Sequence, residues 1–436
     1  APMKTLLVYP EYPDTFWSFK HALKFIGKRA ALPPLGLLTV GAMLPKEWPK
    51  RLVDVNVTKL DDKDLAWADW VFISGMVLQR ASARKIIARC REKNLKVIAG
   101  GPLFTSEYDQ FEDVDHFVLN EAELTLPHFL ADLEEGCAQR IYKTSEFCDI
   151  HGTPSPLWEL INFKHYATMG VQFSRGCPFN CDFCNITALL GHRSRMKTAD
   201  QIITELDGLY NLGWRGPGFF VDDNFIGNKG YLKNHILPAL IQWQKDRRGF
   251  PFNTEASINL ADDPALMAMM VKAGFDSVFI GIETPNEESL GECNKQQNRN
   301  RNMVESVKLM QRAGLQVQGG FIVGFDSDTP SIFQRQIEFI QKSGIVTAMV
   351  GLLNAPPGTR LHQRMREEGR LIDAMSGDNA DGSTNILPRM GLDVLREGYG
   401  NLMQHIYAPE PYYKRAMTFL REYKAPKVTA PLNLQR

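Results

Sequence analysis

Three of the chain's seven cysteines fall in one stretch, Arg175-Gly176-Cys177-Pro178-Phe179-Asn180-Cys181-Asp182-Phe183-Cys184, at the spacing CxxxCxxC. Three thiolates on so short a loop can ligate three irons of a cubane cluster. The fourth iron then has no protein ligand and stays open to another group. A closed structural zinc site would want a fourth Cys or His close by. The nearest downstream candidate, His192, lies too far along to extend a compact knuckle, although it could fold back. Gly176 and Pro178 let the loop wrap closely around what it binds. A zinc knuckle and a chance grouping are the plain alternatives.

The elements that must position this loop come next. Six strand-like segments, 169–174, 218–222, 252–256, 277–283, 317–324 and 347–353, alternate with helical patterns such as 200–212 and 262–273. Six βα units suggest a partial barrel, and the cysteine loop follows the first strand, at the end where barrels carry chemistry. The cysteine stretch resembles the signature of the radical S-adenosylmethionine (SAM) enzymes, CxxxCx-aromatic-C, with Phe183 as the aromatic residue. The resemblance implies a [4Fe-4S] cluster held by Cys177, Cys181 and Cys184. It also implies that SAM chelates the open iron and is cleaved to methionine and a 5′-deoxyadenosyl radical.

Roles at the strand ends follow from the same resemblance. Asp222 and Asp223 end the second strand and are candidates for the contact to SAM's amino group, with capping of the next turn as the alternative. Glu255 and Ser257 match the family's ribose and carboxylate contacts, and Glu283 ends the fourth strand pointing into the barrel mouth. The fifth strand ends in Gly319-Gly320-Phe321-Ile322-Val323-Gly324-Phe325-Asp326. It resembles the strand that passes the adenine, through Gly320, Ile322 and Gly324, where glycine permits close backbone approach. Asn354, in Leu353-Asn354-Ala355-Pro356-Pro357-Gly358-Thr359, completes the adenine edge. The likeness spans residues 168–365.

Upstream, residues 1–145 read as a separate domain. Strand patterns at 4–9, 52–57, 70–75, 95–102 and 116–119 alternate with helical ones at 81–93 and 123–134, and 35–40 reads as the first packed helix. Such alternation implies a mostly parallel sheet covered on both faces. Ligands of such sheets bind beyond the carboxyl ends of the strands. Those ends are Ser74-Gly75-Met76, Gly100-Gly101-Pro102 and Asn120-Glu121-Ala122-Glu123. No GxGxxG is present, so dinucleotide binding is not indicated. The domain resembles the cobalamin-binding domain that precedes the radical SAM core in one large subgroup. Met76 to Arg80, then a helix, then Ala99-Gly100-Gly101-Pro102 carry the likeness. It implies corrinoid contacts from Ser74, Gly75, Met76, Gln79, Gly100, Gly101, Pro102 and Glu121. Asn120-Glu121-Ala122-Glu123 departs from the glycine-bearing version of that loop. The chain holds no DxHxxG, so a bound cobalamin would lack a protein histidine and have its own base displaced. The alternative is a sheet domain that keeps the fold without the cofactor.

The stretch 16–34 is aromatic and basic, and reads equally as a loop over the site or as a surface helix. Residues 146–167 read as a linker, with Gly152, Pro154 and Pro156 in a short polar run. The tail, 366–436, holds a polar loop at 376–384 and then a helical, aromatic part with Tyr399, Tyr407, Tyr412, Tyr413, Phe419 and Tyr423. Residues 406–415 resemble the C-terminal region shared with hopanoid C-2 methylases. A sterol-like lipid would suit an apolar cap there, and so would plain helix packing.

The 436 residues carry 50 Lys+Arg and 50 Asp+Glu, so net charge gives no argument for nucleic acid or an anionic surface as partner. No apolar run is long enough to span a membrane, and no signal-peptide layout opens the chain. Cys90, Cys137, Cys148 and Cys293 are scattered and form no disulfide framework. A reducing cytoplasm fits, with peripheral membrane contact left open. The expected architecture is α/β: an N-terminal Rossmann-like parallel sheet, a partial (β/α)6 radical SAM barrel and a mainly helical C-terminal region. The expected activity is that of a cobalamin-dependent radical SAM methyltransferase acting on an unactivated carbon of a small molecule. Its partners would include an electron donor such as flavodoxin or ferredoxin. One rival is a radical SAM enzyme of cyclisation, coupling or rearrangement with a degenerate cobalamin domain. Another is a non-catalytic corrinoid or cluster carrier, against which the full set of SAM-contact strands argues.

Overall fold

Leu6, Leu7 and Val8 are successive residues and all fully buried, because the strand that holds them is covered on both faces. That strand belongs to the first of two units in the computed structural model, which describes residues 2–247 and 250–426. The first unit comprises 1–171, 195–216 and 376–378. Its strands are β1 (Thr5–Tyr9), β2 (Lys50–Asp54), β3 (Trp70–Ser74), β4 (Lys96–Gly100), β5 (His116–Val118) and β6 (Ile141–Tyr142). They form one parallel sheet in the order β2-β1-β3-β4-β5-β6. Leu6, Val8, Val71, Ile73 and Val97 pack on one face with Ile86, Ile87 and Cys90 of the helix Arg80–Glu92. Leu7, Phe72, Ile98 and Val118 pack on the other, with Leu37 of Leu35–Met43 and with Leu126 and Phe129 of Ala122–Glu135. The strand order reverses at β1 and β3, so the topological switch point lies beyond Tyr9 and Ser74.

Three features of this unit differ from the sequence reading. β2 ends at Asp54 because Asn56 donates from both its backbone N and its Nδ2 to Asp54 Oδ1, at 2.9 and 2.8 Å, turning the chain there. β6 is two residues long, too short to leave a periodic signal. The stretch read as a linker is packed into the unit. Ile150, Trp158 and Tyr166 are buried, and Tyr166 donates to Asp54 Oδ2 at 2.9 Å.

The second unit comprises 172–194, 217–375 and 379–436. All six expected barrel segments are strands. The first of them, Met169–Val171 (β7), ends the first unit's opening segment, and the chain passes from it into the cysteine loop. β8 (Gly218–Phe220), β9 (Phe252–Ala256), β10 (Phe275–Glu283), β11 (Gln316–Val323) and β12 (Ala348–Leu352) run parallel as neighbours in that order. The rings of Phe220, Phe225, Phe252 and Phe275 fill the interior, with neighbouring centroids 4.9–5.5 Å apart. Helices Pro264–Lys272, Met303–Ala313 and Ile332–Ser343 lie between the strands in sequence. No helix among the described residues is long and apolar enough to cross a membrane.

Two helices, Leu392–Tyr407 and Pro409–Glu422, follow. Residues 427–436 of the expected tail lie outside the described residues. The tail's aromatic character has a packing explanation. Arg415 is 0% exposed and donates to Val346 O (3.0 Å), Ile406 O (2.8 Å) and Gln341 Oε1 (2.7 Å). The rings of Tyr407 and Tyr412 flank its guanidinium at 5.7 and 5.2 Å. Arg415→Met should therefore leave buried carbonyls unpaired and destabilise the protein by roughly 2–4 kcal/mol. Urea unfolding should show this loss, whereas Ala at the exposed Lys414 should change little.

Candidate active site

The cysteine loop is shaped by its first residue and clamped from outside. Gly176 has φ +89°, and a Cβ there would sit 2.4 Å from Arg193 O, so no other residue fits without moving the backbone. Cys177 N donates to Gly191 O at 3.2 Å, and Cys184 N to Cys181 O at 3.2 Å. Asp182 N donates to Cys293 O (2.9 Å), Asn294 Nδ2 to Asn180 O (2.8 Å), and Leu361 N to Asp182 O (3.0 Å). Arg360 pairs with Asp182 at 2.6 Å.

Each thiol meets N–H donors. Burial pushes all three thiols up, Cys184 to about 12. Opposing it are the backbone N of Phe179 and the Asn224 side chain at Cys177, Gln297 Nε2 at 3.8 Å from Cys181 Sγ, and the backbone N of Ile186 at Cys184. Donors of this kind suit sulfurs that carry negative charge when a metal binds. Among the described residues no three His, Cys, Asp or Glu side chains are gathered as one metal ion would need. Three thiols on one short loop, each met by N–H donors, suit three corners of a cluster. The loop therefore fits a [4Fe-4S] cluster.

The strand ends beside the loop carry an unusual set of carboxylates. Asp222, just past β8, is buried and accepts from Phe173 N at 3.1 Å, from Ser174 N, and from Ser174 Oγ at 2.6 Å. It holds the strand entering the loop, so its oxygens are already committed. Asp223 is half-buried, and no side chain among the described residues donates to it. Glu255, on β9, is likewise half-buried without a side-chain donor. Burial pushes Asp222 to about 7, Asp223 to about 6 and Glu255 to about 8, the last also repelled by Asp223 and Asp222. No cation of the described chain offsets Asp223 or Glu255, so a positively charged or hydrogen-donating ligand fits there. Asn224 joins this floor to the loop: besides Cys177, its Nδ2 donates to Ser257 Oγ at 3.2 Å, and Ser257 N donates back to its Oδ1 at 3.2 Å.

Glu283 meets a cation instead. Its backbone sits at φ +65°, a left-handed value that costs a non-glycine residue energy. The conformation brings Oε1 to 2.8 Å from Lys295 Nζ. A Cβ on Gly281 would lie 2.5 Å from Glu283 Oε1 and 3.0 Å from Lys295 Nζ, so that glycine makes room for the pair. Lys295 lies 6.0 Å from the centroid of Phe183, between two of the loop cysteines. The end of β11 is fixed by Asp328, which accepts from Gly324 N and Phe325 N at 2.9 and 3.1 Å. Gly324 has φ +108°, and a Cβ on Gly320 would meet the Phe279 ring at 2.8 Å. Ile322 is half-buried and packs with Phe325 and Leu353. Asn354 is spent on backbone, donating to Leu352 O and Ser383 O at 3.1 and 3.2 Å.

In the sheet unit the predicted residues divide into two sets. Gln79 is fully buried. It accepts from Met76 N at 2.7 Å and donates to Pro10 O at 2.6 Å, tying the ends of β3 and β1 together across the switch point. Glu121 is buried in a pair with Arg195 at 2.8 Å and accepts from Cys148 N at 2.8 Å. Both side chains hold loops. Met76 is 46% exposed and takes a contact from the Tyr12 hydroxyl to its sulfur at 3.7 Å. Gly101 has φ +85°, and a Cβ there would lie 2.2 Å from Ser74 Oγ; one on Gly100 would lie 2.6 Å from Val118 O. Gly75 O accepts from Leu103 N at 3.0 Å, and Pro102 begins the helix Pro102–Glu107. Protein atoms thus already fill the space beside Gly100 and Gly101 at these strand ends.

Asn224, Lys295, Gln297 and Tyr12 were not anticipated from sequence. Asn224 follows two aspartates already singled out. The polar run Asn294-Lys295-Gln296-Gln297-Asn298 after the fourth strand was the available signal for the others near the loop.

Residues 171–352 match the radical SAM superfamily, and residues 359–435 match a domain of unknown function, DUF4070. An uncharacterized methyltransferase of Synechocystis sp. is 41% identical over 99% of this chain and 81% of its own length. The hopanoid C-2 methylase of Rhodopseudomonas palustris is 36% identical over 94% of this chain and 78% of its own. The chain is a radical SAM enzyme. It belongs to the subgroup that contains the hopanoid C-2 methylase. The fold agrees with the solved structure of the radical SAM methyltransferase TsrM from Kitasatospora setae with cobalamin and [4Fe-4S] cluster bound. Its TM-score is 0.66 at 14% identity, over 92% of this chain and 85% of that one. The cobalamin-dependent radical enzyme OxsB gives 0.61 at 16%, over 93% and 61%.

The raised carboxylates of this radical SAM site set a pH dependence. A carboxylate whose folded pKa is raised stabilises the fold fully below its usual range, and that stability is lost as pH rises through the folded value. For Glu255 the window runs from the ordinary carboxylate range, near 4.5, to about 8. Urea unfolding of the metal- and SAM-free protein should show wild type losing on the order of 2 kcal/mol more than Glu255→Gln across it. Parallel profiles would contradict the assignment.

Proposed function

We propose that this radical SAM enzyme is a cobalamin-dependent methyltransferase that methylates an unactivated carbon of an apolar, lipid-like small molecule. The observation that carries the reading is the pairing, in one unit, of a clamped three-thiol loop with Asp223 and Glu255, carboxylates that no cation among the described residues neutralises. When bound, the cluster with SAM supplies a carbon radical able to take hydrogen from such a carbon, and methylcobalamin supplies the methyl group. The chain's residues bind, orient and exclude water. Cys177, Cys181 and Cys184 hold the cluster, with Gln297 and Asn224 donating to its sulfur ligands. Asp223 receives SAM's amino group, since Asp222 is spent on the loop. Glu255 and Ser257 take the ribose side, and Lys295, turned by Glu283, faces the carboxylate. The strand end at Gly320, Ile322 and Gly324, with Asn354 at its edge, would receive the adenine.

Ser74, Gly75, Met76 and Gly100 to Pro102 would line the corrinoid crevice, where a bound cobalamin would supply the methyl group. Likeness to the hopanoid C-2 methylase supports a polycyclic lipid as substrate class. Cluster reduction requires a one-electron donor such as flavodoxin or ferredoxin. A second reading keeps the cluster and SAM and drops methyl transfer for cyclisation or rearrangement. It is favoured by one observation, that contacts to Val118 O and Ser74 Oγ already call for glycine at 100 and 101 without a corrinoid.

The deciding experiment incubates anaerobically reconstituted protein with hydroxocobalamin and desalts it. Base-off corrinoid retained beside iron–sulfur absorbance supports the methyltransferase, and a product heavier by one methylene unit would complete the case. Cluster absorbance without corrinoid favours the second reading. Cys181→Ala should abolish both cluster absorbance and SAM cleavage; cleavage that survives would overturn that ligand. Lys295→Met should keep its iron yet bind SAM about ten- to a hundredfold more weakly in calorimetric titration, the scale of one hydrogen bond to a charged group.

A further inference from the structure

The aromatic and basic stretch 16–34 plays no part in the site above. It forms a protrusion anchored at its base. Before the tip, Thr15 and Ser18 close a capping box around the turn Phe16–Ser18. After it, Arg29 N and Ala30 N both donate to His165 O, at 2.8 and 3.1 Å, and Arg29 Nη1 donates to Val57 O at 2.7 Å. Between these anchors the helix Lys20–Leu23 runs into a tighter turn, Lys24–Ile26, ended by Gly27 at φ +67°.

Only Leu23 of this tip is buried. Phe25 is 92% exposed, Ile26 63% and Phe19 39%, and Ala22 is exposed as well. Phe19 stands at φ +50° just before the helix, and Phe25 and Ile26 lie in the tighter turn after it, so these apolar side chains belong to one short exposed tip rather than to one helix face. Lys20 and Lys24 stand among them, and Lys28 follows Gly27, where the turn has ended. Lys24 has no ion-pair partner among the described residues. Lys28 donates to the neutral carbonyl of Lys164 at 3.3 Å and keeps its charge. Lys20 meets Glu11 at 3.3 Å in an exposed pair of little worth. The acids that the tip's side chains contact are that Glu11 and Asp14, which His21 meets at 2.8 Å. The chain is neutral as a whole, so the positive surplus is local to this tip.

Exposed apolar side chains interleaved with lysines on one short tip are the composition of a segment that meets a membrane interface. We propose that residues 19–28 seat the protein on an anionic lipid bilayer. Phe19, Phe25 and Ile26 would enter the acyl boundary while the lysines meet headgroup phosphates. So short an apolar tip gives reversible docking. The inference stands apart from the reaction, and its failure would leave the methyltransferase reading untouched.

Flotation of the full chain with vesicles free of polycyclic lipid tests it. Wild type should float with equal parts phosphatidylcholine and phosphatidylglycerol, far less with phosphatidylcholine alone, and less at high salt. Phe25→Ser with Ile26→Ser should weaken partitioning at least about tenfold, the scale of losing two inserted apolar side chains. Leu420→Ser, at a comparably exposed position elsewhere, should not. The indole introduced by Phe25→Trp, read as the difference from wild-type fluorescence, should shift to the blue on anionic vesicles. The proposal is overturned if wild type fails to float, or if the double variant floats as wild type does. A difference emission from Phe25→Trp that is indifferent to vesicles would also overturn it, and a double variant that loses only turnover would assign the tip to substrate instead.

Discussion

A single buried carboxylate decides where the cysteine loop can be. Asp222 gathers two consecutive backbone N–H groups and a hydroxyl from Phe173 and Ser174 onto one side chain. It stands at the end of β8, so the chain entering the loop is locked to a barrel strand end. Burying a carboxylate is costly unless its oxygens are hydrogen-bonded, and here those bonds are the segment that must be placed. Gly176, the outer clamps at Asn180 and Asp182, and the donors to the thiols all presuppose that anchor.

Charges in the site fall into two kinds. Glu283 with Lys295, and Arg360 with Asp182, are paired within the protein and fix geometry. Asp223 and Glu255 are left without a counter-charge, and their burial favours the protonated form until a ligand changes the balance. The contrast separates scaffold from binding surface more sharply than residue type does. Asp222 and Asp223 are neighbours of identical chemistry, yet one is consumed by the fold and the other is free to meet a ligand.

Much of this was legible in sequence where the signal was local. Parallel strands covered on both faces leave continuous apolar runs, and the CxxxCxxC spacing compresses its chemistry into one loop. What was not legible depended on distant partners. Nothing near Glu121 announces that Arg195 will occupy it, nor does Gln79 reveal that it bridges to Pro10. Residues 146–167 are rich in turn formers and look like a tether, but Trp158 and Tyr166 find a core to enter. The aromatic tail suits a lipid cap and helix packing alike in sequence, because composition does not record that Tyr407 and Tyr412 flank a buried arginine.

That tail also bears on what the barrel offers to other chains. β12 lies at the end of its sheet, and an edge strand presents unpaired backbone groups that can recruit a foreign strand. The Tyr407 hydroxyl donates to Ala348 O at 2.6 Å and accepts from Ala348 N at 3.2 Å, and the Tyr399 hydroxyl donates to Val350 O at 2.9 Å. Phenol groups on a helix thus take positions that a further strand would fill. The two C-terminal helices act as a selvedge, and a barrel of this kind shorn of them would expose a sticky margin before it lost any catalytic residue.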